Sequence, residues 1–280
     1  METTTIGGLW LSRLLLGSNP FSGFSHQGVD RDERMVHYYT TARIKETLFD
    51  AQRLGITGFV ARTDFHVMRL LLEYRDEGGT LRWLAQTCPE VGDSEACVRR
   101  AVRGGAAACH IHGGVMDHLV AQGRGAEAAR AIALIRDSGM KAGVAGHTTA
   151  VFEWAEQHLD VDYYMCCYYN PTPRTDDPEH VHGAVEEYRD EDRQSMTARV
   201  ATLSRPAIHY KILAAGRNEP EAAFAYCAAH LRPGDLACVG VFTGDDPKML
   251  EEDVRLFEKH VRGREAEVGE AAAATSSTSR

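Results

Sequence analysis

The chain has 280 residues, 44% of them hydrophobic, and a formal charge of -9. That apolar content can fill one large core, while the acidic balance opposes broad affinity for nucleic acid or anionic lipid, both of which need a cationic surface. No apolar run approaches the roughly 20 residues that cross a bilayer, METTTIGGLW lacks the regions of a signal peptide, and seven scattered cysteines without CxxC spacing suit reduced thiols, so the expected setting is cytoplasmic, with no membrane or nucleic-acid partner.

In chain order, the strand candidates are Leu14–Gly17, Gly58–Arg62, Leu81–Gln86, Ala107–His112, Lys141–Ala145, Asp162–Cys167, Ala207–Leu213 and Ala237–Phe242. Each is followed by a helical pattern. Such alternation within one domain predicts a parallel sheet covered by helices, an α/β protein built as a (β/α)8 TIM barrel over residues 1–263. Ile44, Leu48 and Ala51 recur at helical spacing before Gly55. Asn218-Glu219-Pro220-Glu221 reads as a helix start capped at Asn218, and Asp246-Pro247 opens a last helix with Leu250, Val254 and Phe257 on one face. Two connections, 18–40 and 170–192, are too long for simple barrel turns and are expected to act as lids. Residues 264–280, rich in Glu, Ala, Ser and Thr, are expected to form a flexible tail.

In this architecture the active site lies where the strands end. Asp64, His66, His112 and His147 sit at the ends of the second, fourth and fifth runs, a convergence that can assemble a metal or acid–base site. The two-residue period of a strand puts His110 and His112 on one side, with His110 expected deeper as a packed residue and His112 reaching the site. Lys211, expected inside the seventh run, reads as a proton donor or anion clamp, because an interior lysine is costly unless paired or functional. Asn19, Arg62, Gln86 and Asn170 are candidates for orienting substrate, and Gly216-Arg217 for binding a phosphate. Of Cys166 and Cys167, only one can face the interior.

From residue 8 to about 260 the order of segments resembles the aldo-keto reductases. The resemblance is carried by Leu11-Ser12-Arg13-Leu14-Leu15-Leu16-Gly17, Leu54-Gly55-Ile56-Thr57-Gly58-Phe59, Ile111-His112, Tyr168-Tyr169-Asn170-Pro171 and Asp246-Pro247-Lys248-Met249-Leu250-Glu251-Glu252. It implies their barrel and a site of aspartate, tyrosine, lysine and histidine working with NADPH. Asp64 matches the aspartate and His112 the histidine. Ala85-Gln86-Thr87 stands where the lysine belongs, and Phe65-His66-Val67-Met68-Arg69 lacks the tyrosine. Asp245-Asp246, near the expected adenosine-phosphate pocket, opposes the extra phosphate of NADP.

These departures make the leading expectation an enzyme of lyase or isomerase type acting on a small polar carbonyl or hydroxyl compound. A divalent metal (zinc, manganese or iron) held by Asp64, His112 and His147 would stabilise an enolate or oxyanion, with His66 as fourth ligand or base. The second expectation is an atypical NAD(P)H-dependent reductase in which His66, Lys211 or a lid tyrosine replaces the missing acid. A third is a catalytically silent barrel that binds a ligand or a second subunit, and a homo-oligomer is compatible with all three.

Overall fold

A computed structural model describes residues 1–179 and 186–262. The chain opens with an antiparallel hairpin of β1 (Thr3–Ile6) and β2 (Leu9–Ser12). Gly7 and Gly8 turn it at φ of +54° and +85°, a left-handed pair that two-residue hairpins require. The hairpin is absent from the sequence reading, although Gly-Gly between Ile6 and Leu9 is its local signal.

Eight strands then close into one barrel, in the order β10-β3-β4-β5-β6-β7-β8-β9. They are β3 (Leu14–Gly17), β4 (Gly58–Arg62), β5 (Arg82–Gln86), β6 (Ala108–Ile111), β7 (Lys141–Gly146), β8 (Tyr163–Cys167), β9 (Ala207–Tyr210) and β10 (Leu236–Val239). Every neighbouring pair is parallel, and closure pairs Leu14 with Ala237. The architecture is the expected (β/α)8 barrel. Three runs stop early: β6 ends at Ile111, since His112 caps the helix that follows, β9 ends at Tyr210 because Lys211 takes φ +56°, and β10 ends at Val239.

Strand alternation sorts the side chains into two cores. Leu15, Val60, Leu84, Ala108, Ala145, Tyr163, Met165, Ile208 and Leu236 fill the barrel, joined by Ile6 and Leu11 of the hairpin, which plug its N-terminal end. Tyr164 and Cys166 point the other way, into the layer beneath the helices. At about 1.5–3 kcal/mol for each fully buried large apolar side chain, these two layers are the main favourable term in folding.

The covering helices are α1 (Val29–Tyr38), α2 (Thr41–Arg53), α3 (Phe65–Asp76), α4 (Ser94–Arg103), α5 (Gly113–Ala121), α6 (Ala128–Asp137), α7 (Thr149–His158), α8 (Asp190–Val200), α9 (Pro220–His230) and α10 (249–262). In α2 the expected stripe is buried, with Thr40 capping the helix through Arg43 N. For α9 the cap is Glu219, which accepts from Ala222 N, rather than Asn218. The first long connection is more ordered than its length suggests, since it holds a 3-10 turn at Asn19–Ser22 and α1. Of the second, 170–179 and 186–189 contain neither helix nor strand; residues 180–185 and the expected tail at 264–280 lie outside the described residues. All seven cysteines are buried and free of disulfides, and no described helix is long and apolar enough to cross a membrane.

Candidate active site

The last inward position of each strand sets the barrel mouth. Continuing the inward phase of β7, β8 and β9 brings His147, Cys167 and Tyr210 to this level. Behind His147 stands Asp117, one turn into α5 and only 6% exposed. Its carboxylate accepts from the backbone N–H groups of His147 and Thr148 at 3.1 and 3.2 Å and from the Thr148 hydroxyl at 3.1 Å. His147 Nδ1 lies 2.6 Å from the same carboxyl group. That contact fixes which imidazole nitrogen faces the carboxylate and turns Nε2 toward the Tyr210 hydroxyl. The Tyr210 hydroxyl lies 3.5 Å from that nitrogen.

Asp117, His147 and Tyr210 therefore form a line of hydrogen-bonding groups from a buried carboxyl to the barrel mouth. Burial drives the Tyr210 phenol well above its ordinary range, and the neighbouring Cys167 and Asp117 add to the effect, so the hydroxyl keeps its proton at neutral pH. Burial likewise pushes the Cys167 thiol up to about 11, against the nearby Lys211, so it is a thiol and not a thiolate. Gly113 makes the packing feasible: a Cβ there would lie 2.8 Å from His147 Cε1 and 3.2 Å from the Tyr210 oxygen.

A cavity of about 590 Å³ runs from this mouth. Its inner part is lined by Gln86, Met165, Tyr210 and Lys211, and its outer part by Phe242, Asp245, Met249 and Asp253, with Phe24, His26, Gln27 and Arg31 from the first long connection along its side. The segment after β9 also lines the cavity, and in it Lys211, Ala214 and Ala215 all have positive φ (56°, 48° and 54°). Three non-glycine residues in the left-handed region within five positions store on the order of 1–2 kcal/mol each, strain of a kind that clusters at ligand clamps. The two long connections meet over the mouth. His26 Nδ1 lies 2.7 Å from Glu186, Tyr188 donates to the same carboxylate, and Arg217 donates to His26 O while stacking on Tyr188. Burial opposes its charge, yet the His26 contact holds the Glu186 carboxyl down at about 2.

The expected site residues divide accordingly. Asn19, Gln86 and Lys211 line the cavity. Lys211 is half-buried, just past its strand rather than within it; desolvation lowers its pKa, opposed by Cys167 and Glu186. Arg62 is committed to Asp64 and Glu90, at 3.3 and 3.1 Å, and stacks on Phe24. Asp64 caps α3 through Val67 N at 2.8 Å, and His66 is exposed on that helix. His112 caps α5, its Nδ1 accepting from Gly114 N at 3.2 Å, and burial holds it neutral, with His147 and Arg62 adding to the shift. His110 lies deeper, against the Tyr163 hydroxyl at 3.1 Å, as expected. Asn170 receives Asp192 on its backbone N–H, and its amide oxygen is buried without a partner; Arg217 braces the loops rather than lining the cavity.

The expected divalent metal is overturned. Among the described residues no three His, Cys, Asp or Glu side chains are placed to hold one. Asp64 is spent on a helix cap and Arg62, His112 Nδ1 on Gly114, and His147 Nδ1 on Asp117. Asp117, Tyr210 and Asp253 escaped the sequence reading. Tyr210 alone had a signal, two residues beyond the inward Ile208, whereas Asp117 and Asp253 lie on helices whose inward turn no strand period reveals.

No protein-family model and no curated protein matches the sequence. Solved structures do. A Pseudomonas aeruginosa protein provisionally named an aldo-keto reductase is 18% identical, covering 93% of this chain and 94% of its own at a TM-score of 0.63. An aldo-keto reductase from Bacillus halodurans, in its holo form, is 12% identical over 94% of this chain and 96% of its own, with a TM-score of 0.59. A 3-deoxy-D-arabino-heptulosonate 7-phosphate synthase from Thermotoga maritima, in truncated form, reaches 0.58 at 11% identity over 95% of this chain and 92% of its own. Overlap at these identities speaks to architecture. The chain shares, at a remote distance, the barrel fold of the aldo-keto reductases.

Proposed function

We propose that this barrel is an NAD(P)H-dependent carbonyl reductase in which Tyr210 delivers the proton. The observation that carries the reading is the line Asp117–His147–Tyr210 opening on a cavity of about 590 Å³. At about 590 Å³ the cavity is in the range of cofactor sites, and its mostly apolar lining with a few placed polar groups suits a dinucleotide. Gln86 and Lys211 would face its inner end and Asp253 its outer end. When bound, the dinucleotide supplies a hydride to a carbonyl carbon.

The residues of the chain do the rest. Tyr210 donates its hydroxyl proton to the carbonyl oxygen as negative charge develops there, giving the alcohol. The phenolate regains its proton from water by way of His147, whose Nε2 takes the proton up and passes it on, and Asp117 stabilises the imidazolium while it lasts. Lys211, a cation on the cavity wall, holds an anionic or strongly polar group of the substrate. In place of His66, Lys211 or a lid tyrosine, the acid is a tyrosine at the end of a barrel strand.

The test is oxidation of NADH and of NADPH by the purified protein with a panel of aldehydes, ketones and keto acids. Tyr210→Phe should lower turnover by about 10²–10⁴-fold, the usual range for loss of a general acid, while dinucleotide affinity and melting temperature stay close to the parent. Unchanged turnover in Tyr210→Phe removes the proton-donor assignment, and a parent protein that binds neither dinucleotide removes the reductase reading altogether.

A further inference from the structure

A cation without an ion-pair partner stands at the inner end of the cavity. Of the residues lining that end, Gln86, Met165, Tyr210 and Lys211, only Lys211 carries a charge. Among the described residues its Nζ has neither a hydrogen-bond nor an ion-pair partner, and the side-chain amide of Gln86 has no hydrogen-bond partner either. Burial is the main force that lowers the Lys211 pKa, with Arg174 and Arg217 adding to it and Cys167 and Glu186 opposing it. Neither opposing group neutralises the ammonium. Cys167 is a thiol at neutral pH, and the Glu186 carboxylate is engaged by His26 at 2.7 Å and Tyr188 at 2.9 Å.

An ammonium drawn from water without a partner is stabilised when an anion meets it, and an amide donor without an acceptor is satisfied by the same arrival. Position decides what the anion is attached to. Lys211 follows Tyr210 in sequence, both line the cavity, and the Cys167 thiol lies beside the Tyr210 hydroxyl and close to Lys211. Resting on the reductase reading, we infer that the substrate is an oxo acid, with its carboxylate on Lys211 and Gln86 and its carbonyl oxygen at the Tyr210 hydroxyl. Val60, Ala61, Met165 and Cys238 make the walls here largely apolar. Burying a carboxylate of one negative charge among them costs less than burying a phosphate of about two. The hydride from the dinucleotide reaches the carbonyl carbon, Tyr210 protonates the oxygen, and the carboxylate is carried unchanged into a hydroxy acid.

The experiment is steady-state reduction by the intact chain, with NADH and with NADPH, of pyruvate, 2-oxobutyrate and succinic semialdehyde, each beside its methyl ester, and of glyceraldehyde 3-phosphate beside glyceraldehyde. At least one acid should be reduced with a kcat/KM about tenfold or more above that of its ester, the discrimination that a hydrogen bond to a charged group supplies. In Lys211→Met, which keeps the length and removes the charge, that ratio should shrink by about tenfold, chiefly through a raised KM for the acid. Esters reduced as well as their acids, or a preference for glyceraldehyde 3-phosphate over every oxo acid, overturn the inference and leave the reductase reading standing. An unchanged acid-to-ester ratio in Lys211→Met overturns the role of Lys211. If no carbonyl compound of any kind is reduced, the reductase reading falls and takes this inference with it. Should Lys211→Met fold poorly, the acid-to-ester ratios of the parent still decide.

Discussion

Asp117 and Asp253 are both carboxyls sealed from water, and their partners set them apart. Asp117 is surrounded by donors, which fix the position of its carboxyl group. Asp117→Asn should leave the fold intact and reduce turnover by about 10²–10⁴-fold, because an amide neither fixes the imidazole tautomer nor stabilises its protonated form. Stopped-flow turnover alongside circular dichroism checks this. Asp253 has no such donors, and burial, with Glu252 adding to it, pushes its carboxyl up to about 7. A folded-state pKa above the unfolded value means that its favourable contribution is complete in acid and is lost as pH rises through about 7. Three pKa units correspond to at most about 4 kcal/mol. Asp253→Asn should therefore melt above the parent on the alkaline side of that value, with the difference closing toward acid, as thermal melts across the range would record. At this scale the sequence was least legible. It presented Asp64, His66 and His112 as a cluster because they end neighbouring strands, but helix capping and exposure claim all three.

Among the elements, α5 has the closest tie to the chemistry. Its first residue, Gly113, is pressed against His147 and the Tyr210 hydroxyl, and its fifth, Asp117, holds His147 from behind. Gly113→Ala would insert a methyl 2.8 Å from the imidazole. Overpacking of this kind costs about 1–3 kcal/mol, and here the displaced groups are the ones proposed to carry the proton. Turnover should fall more steeply than stability, which paired measurements of activity and melting temperature would reveal; an active, less stable variant would separate α5 from the site. The strands themselves were legible because apolar runs of four to six residues between turn signals are set locally. The end of β9 was not, since the positive φ of Lys211 follows from the loop it enters and not from lysine's own preference.

For the molecule as a whole, the closed barrel follows from the eightfold alternation, and the sequence carried that alternation plainly. What it did not carry was the stopper at the far end, because the hairpin's apolar positions are few and only tertiary contact shows that Ile6 and Leu11 enter the barrel. Leu11 is fully buried there, so Leu11→Ala should cost about 2–5 kcal/mol. The site sits at the opposite end, so kcat and KM of the folded fraction should hold. Denaturant unfolding and steady-state kinetics on the same preparation test both halves; altered kinetics would mean that the stopper is felt at the mouth.

The stopper also imposes an order on assembly. Thr3–Ser12 is first in sequence, yet its berth includes Leu236, and the neighbouring Leu14 must find Ala237 across the seam. During synthesis these early residues have no finished surface to settle on until more than two hundred later ones have emerged. The hairpin, made long before β10, is thus among the last elements to be housed, and a nascent polypeptide halted before β10 would hold Ile6, Leu11 and an unpaired β3 edge in readiness for whatever strand arrives first.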